Sequence, residues 1–160
     1  MQKKPISILT RIGILILVIG LIVPMGAYAS VVETDQTRAS AYLSYYTSYV
    51  YSAGGGLVQV WFSVGGNDYL DEIGALSIEL YECSTNSSDI SDWTWKKTFT
   101  HDSTSGMLSY NDDYHSGHVD YHGTIGKWYR AYVCIWGGKD GDGDTRYFWT
   151  SGQKATLLPD

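Results

Sequence analysis

The stretch Gly126-Lys127-Trp128-Tyr129-Arg130-Ala131-Tyr132-Val133-Cys134-Ile135-Trp136-Gly137-Gly138 reads as a central strand entered and left through glycine. Side chains alternate along a strand, so Tyr129, Ala131, Val133 and Ile135 share one face. Trp128, Arg130, Tyr132, Cys134 and Trp136 share the other. The first set is small, branched or aromatic and demands a core. The second set carries whatever the strand shows to its surroundings.

Other strands follow on either side. Ala41 to Tyr51 is rich in Tyr, Thr and Val, with blurred alternation, and is expected to be a first, edge strand. Leu57 to Val64 alternates cleanly, with Val58, Val60, Phe62 and Val64 inward and Gln59, Trp61 and Ser63 outward. Gly65 to Gly74 is expected to be a loop. Leu76, Ile78 and Leu80 then face inward, with Ser77, Glu79, Tyr81 and Cys83 outward. Trp93 to Thr100 returns as a strand, with Trp93, Trp95 and Phe99 on its covered side. His101 to His115 is expected to be mostly loop. Gly117 to His122 forms a short strand with Val119 and Tyr121 inward, and Arg146 to Thr150 closes a last hairpin across a glycine–aspartate loop, Gly137 to Asp144. The expectation is an all-β fold, a single antiparallel β-sandwich of about seven strands.

The quoted stretch resembles the sixth strand of an immunoglobulin-like or fibronectin type III-like sandwich, where Tyr-x-Cys or Tyr-x-Val follows a turn. The resemblance covers nearly all of the chain beyond residue 29. The run Asp71-Glu72-Ile73-Gly74-Ala75 before Ser77-Ile78-Glu79-Leu80-Tyr81-Glu82 also resembles a family of short secreted proteins of Gram-positive gut bacteria with no assigned activity. That likeness implies location and fold only.

The N-terminus follows a different pattern. Lys3, Lys4 and Arg11 precede an apolar run, Ile12 to Val23, and Ala27-Tyr28-Ala29 supplies an Ala-x-Ala site. These features predict a cleavable signal peptide over 1–29, a flexible lead-in over 30–40 and the β-sandwich domain over 41–158. The 12-residue apolar run is short of the ~20 needed to span a bilayer. Cleavage removes three of the 11 Lys and Arg and none of the 17 Asp and Glu, leaving a net charge of −9. Such a chain repels phosphate backbones and anionic lipid, which argues against nucleic acid and membrane partners and for an extracellular, secreted location.

Several constellations can carry chemistry. Cys83 and Cys134 are the only cysteines, and alternation turns both outward. The immunoglobulin-like resemblance implies that their strands are neighbours in one sheet, which makes a cross-strand disulfide sterically reasonable, with two separate thiols as the alternative. His118, Asp120 and His122 alternate along one strand and offer a zinc site, against a plain solvated face. Asp140, Asp142 and Asp144 imitate the first positions of a calcium loop, but Thr145 stands where such a loop needs glycine. A flexible hairpin tip kept soluble by charge is the favoured account, with weak calcium binding as the alternative. The chain has no Gly-x-Ser-x-Gly, His-Glu-x-x-His or phosphate-loop motif, so an enzyme, in particular a metal-dependent hydrolase, is the weakest expectation. Trp128, Tyr132 and Trp136, with Tyr81 and Trp149 beside them, predict an outward aromatic face. That face suits a non-catalytic binding module for a glycan or an extracellular protein. Two alternatives are that the rings only support the sheet, or that the face joins copies of the chain into a surface assembly.

Overall fold

The computed structural model describes residues 40–160. The expected signal peptide and most of the lead-in lie outside the described residues. Seven strands follow: β1 (Leu43–Gly54), β2 (Leu57–Cys83), β3 (Thr94–Thr100), β4 (Leu108–His122), β5 (Trp128–Lys139), β6 (Asp142–Trp149) and β7 (Gln153–Lys154). All pairings are antiparallel and belong to one sheet, which curls into a half-barrel. The all-β, antiparallel, seven-strand expectation holds at that level.

The organising element is β2 rather than β5. One edge of β2 pairs with β1 along Leu57–Gly66 and then with β5 along Glu72–Cys83. The other edge pairs with β4 along Leu57–Gly74 and then with β3 along Ser77–Glu82. A straight strand of 27 residues would run about 90 Å at ~3.3 Å per residue. A domain of this size has a radius of gyration near ~14 Å, so β2 must bend.

It bends where the sequence reading expected a loop, over Gly65 to Gly74. Between Gly65 and Leu70 the β4 register shifts, because β2 spends more residues than its partner, as a bulge does. Asn67 ties this bend down: its Nδ2 donates to the carbonyls of Ser40 (2.9 Å) and Ala41 (3.1 Å), and its backbone N–H donates to Tyr42 O (2.8 Å). A second kink sits at Gly74, whose φ of +148° disfavours any side chain. A Cβ there would fall 2.2 Å from Met107 O. Two apolar runs separated by glycines and carboxylates thus form one strand rather than two.

Two further segments differ from expectation for local reasons. β4 begins at Leu108, since residues 108–112 pair with the kinked middle of β2. β5 and β6 extend through the glycine–aspartate segment and leave a two-residue turn, Asp140 (φ +55°) and Gly141 (φ +81°). Positive φ at both positions matches the turn that suits a twisted hairpin.

The core lies inside the curl. Val58, Val60, Phe62 and Val64 of β2 and Tyr129, Ala131, Val133 and Ile135 of β5 are at most 1 % exposed, on the faces expected. Ile78 lies opposite Val133, and Ile135 lies opposite Ala75. β1 and β6 touch through side chains where Tyr46 of β1 packs on Phe148 of β6 (5.3 Å between ring centres). Asp144 of β6 also accepts hydrogen bonds from Ser40 Oγ and Tyr42 N. Trp93 and Phe99 are buried as expected, but Trp95 is 56 % exposed. A register shift in the β2–β3 ladder between Leu80 and Tyr81 turns Trp95 to the outer side.

Candidate functional site

The outer face of β2, β5 and β6 is built row by row from the ladder. Glu79, Tyr132 and Trp149 form one row; Ser77, Cys134 and Tyr147 the next; Gly74, Trp136 and Thr145 the third; Glu72, Gly138 and Gly143 the last. Along this face the rings touch in sequence. Tyr81 meets Trp149 edge-on at 5.0 Å, Trp149 meets Tyr132 at 4.9 Å, and Tyr132 stacks on Tyr147 at 5.9 Å. Tyr147 is exposed, while Tyr81, Trp128, Tyr132, Trp136 and Trp149 are half-buried. The structure therefore brings Tyr81, Tyr132, Trp136 and Trp149 onto one track, with Trp128 beyond its end beside Cys83 and Lys154.

Arg130 anchors that end. Its guanidinium lies 4.7 Å from the Trp93 ring centre and 4.2 Å from that of Trp149. Burial lowers its pKa, and its Nε is buried without a hydrogen-bond partner. The two indole faces supply the attraction that hydrogen bonds do not.

At the other end the track enters a cleft of about 380 Å³ lined by Asp71, Glu72, Trp136, Gly138, Lys139, Gly141 and Asp142. The indole of Trp136 lies across the facing pair Gly138 and Gly143. A Cβ at Gly138 would come 2.5 Å from Trp136 Cζ2, and one at Gly143 would come 2.4 Å from Cη2. Here glycine is required by space rather than by backbone angle. Polar groups border the indole: Asp71 Oδ2 accepts from Asp140 N (2.7 Å), and Lys139 Nζ reaches Asp68 at 3.0 Å. That lysine ammonium and the Tyr69 N–H hold the Asp68 carboxyl below its ordinary pKa, and Asp68 raises that of Lys139.

The expected disulfide is not formed. Cys134 lies opposite Ser77 and Cys83 opposite Trp128, six residues along the ladder, or about 20 Å. A disulfide needs Cα atoms within ~7 Å. Both cysteines are free and both are buried, Cys134 against Tyr147 and Ser77 on the outer face and Cys83 opposite Trp128 beyond the end of the track. Burial pushes the Cys134 thiol up, against hydrogen bonds with Tyr147 and Ser77, and makes it a poor nucleophile.

The metal candidates are not assembled. Among the described residues no three His, Cys, Asp or Glu side chains converge as ligands. His118 instead stacks on Trp61 (4.3 Å, 24°), 3.7 Å from Asp120, while His122 sits opposite Leu57. Asp140 is in the turn, Asp142 starts β6, and Asp144 is occupied by Ser40, Tyr42 and Arg146. The Ser40 hydrogen bond holds the Asp144 carboxyl below its ordinary pKa.

Sequence reasoning missed a second outer face, made by β1, β2 and β4. Its rows are Tyr45–Gly65–Tyr114, Thr47–Ser63–Ser116, Tyr49–Trp61–His118 and Tyr51–Gln59–Asp120. Tyr45, Tyr49 and Tyr114 are each about half exposed. The signal was present as tyrosines at alternate positions 45, 49 and 51. A bulge between Leu43 and Tyr45 obscured it.

No family model, curated protein or solved structure matches the chain. No helix among the described residues is long and apolar enough to cross a membrane.

Proposed function

We infer that the chain is a secreted, non-catalytic binding module whose ligand is a glycan held along the track from Trp149 and Tyr132 to Trp136. The observation that carries this reading is a shared face: the contacting, partly exposed rings of Trp149, Tyr132 and Tyr147 lie on the same outer side of the ladder as Trp136, whose indole walls a concave cleft with polar groups around it. A sugar ring presents an apolar C–H face and a rim of hydroxyls. The rings suit the first, and the carboxylates of Asp71, Glu72 and Asp142 with the Lys139 ammonium suit the second. A protein partner is less well served, since Glu79, Glu72 and Asp142 interrupt the apolar area that an interface core requires. Export is supported by the pattern of residues 1–29. An immunoglobulin-like kinship is supported by Tyr129, whose phenol oxygen accepts from Thr124 N at 2.7 Å, as the tyrosine corner of such sandwiches ties back to upstream backbone.

Calorimetric titration of the protein with a panel of neutral oligosaccharides tests the reading. Trp136→Ala and Tyr147→Ala are each expected to weaken binding by roughly tenfold or more, about 1.4 kcal/mol. Tyr147→Ala should lower thermal stability only slightly, because the residue is 56 % exposed. A blank panel, or wild-type affinity in both variants, rejects the proposal.

A further inference from the structure

We propose that β4 is a self-association edge, pairing antiparallel with β4 of a second copy about a twofold axis at Val119. β4 is 15 residues long and pairs with β2 alone. From Tyr114 to His122 its register with β2 runs without a shift. No backbone hydrogen bond beyond the β2 ladder reaches residues 108–122 among the described residues. Such a row of free N–H and C=O groups is a template for another strand.

The other edges are guarded. β3 has seven residues, two of them Lys96 and Lys97, the usual device against edge pairing. β1 is met at one end by Asp144 and Phe148 of β6, and at the other by the C-terminal segment, where Asp160 N donates to Ser52 O (3.1 Å). The stretch His115–His122 has no proline, lysine or bulge. Its single carboxylate, Asp120, is drawn back onto its own sheet by Gln59 Nε2 at 2.9 Å and His118 Nε2 at 3.7 Å.

The occupant follows from the pattern of the edge itself. In an antiparallel pair about Val119, His118 stands opposite Asp120 of the second copy, and Asp120 opposite its His118. Ser116 stands opposite its His122, and Val119 opposite its Val119. The His-x-Asp motif is thus complementary to itself twice over, as an isologous contact requires. Pairing extends the second aromatic face into one continuous outer surface of six strands, three from each copy.

Sedimentation velocity of the full chain at rising concentration tests this. The expected result is a concentration-dependent dimer, with amides of His115–His122 exchanging more slowly as it forms. His118→Asp places two carboxylates opposite each other at both ends and is expected to abolish the dimer. The double variant H118D/D120H restores opposed partners and should return it, with circular dichroism confirming a folded chain. Trp136→Ala should leave association unchanged, which keeps this proposal separate from the glycan reading. A monomer at every concentration overturns the proposal, as does a dimer that H118D does not weaken or a folded double variant that stays monomeric.

Discussion

Tyr129 shows how one side chain joins the core to a corner of the chain. Its ring is fully buried on the inner face of β5, while its hydroxyl donates to Glu82 and accepts from Thr124 N. Burial, then the Glu82 carboxylate, push the phenol up to about 12. The fold thus holds the neutral form more firmly than the unfolded chain, whose phenols titrate near ~10. The contribution of this group to stability is complete below about pH 10 and is lost as pH rises towards about 12. Tyr129→Phe leaves Glu82 and the Thr124 N–H without that partner and is expected to cost about 1–3 kcal/mol in urea unfolding. It should also flatten the alkaline loss of stability, and a variant as stable as wild type at pH 7 would refute the assignment. Sequence alternation placed Tyr129 inward, because the pattern of β5 depends only on the two-residue period. It could not supply the hydroxyl's partners, which come from 47 residues and five residues away in the chain.

At the scale of elements, alternation identified the inward faces of β2 and β5 but not where strands begin and end. Gly65, Gly66 and Gly74 read as loop residues because glycine weakens a strand taken alone. Within β2 they serve as bends, held where Asn67 donates to the carbonyls of Ser40, Ala41 and Tyr42 and where Ala75 N donates to Met107 O. The same blindness explains the cysteines: the resemblance made their strands neighbours, which they are, yet register decides distance, and the unbroken ladder from Ser77–Cys134 to Cys83–Trp128 keeps them six residues apart. Gly74→Ala tests the kink. Its new Cβ meets Met107 O and adopts an unfavourable φ, so a loss of about 1–3 kcal/mol is expected. The loss should appear as a lower denaturation midpoint, and an unchanged midpoint would mean that the kink is not obligatory. The aromatic track was legible as residue types, since Trp128, Tyr132 and Trp136 fall on one face of β5. The cleft at its end was not, because Asp71 and Glu72 reach Trp136 only once β2 has bent.

For the whole molecule, β2 has a further consequence, for how the protein comes apart. One strand contributes to both halves of the curl, pairing with β1 and β4 along its first part and with β5 and β3 along its second. Neither half can melt without freeing hydrogen-bond partners in the other, so the domain lacks the seam along which many β proteins open in stages. Native-state hydrogen exchange should therefore show the central amides of β2 and β5 opening together, at the free energy of global unfolding. A separate, lower-energy opening of the β1–β2–β4 half would contradict it. Beyond the local β1–β2 hairpin, the ladders of β2 with β4 and β5 join residues far apart in sequence, so much of the domain's loop-closure entropy must be met before they form. Assembly is accordingly expected in the millisecond-to-second range of β-rich folds, and all at once.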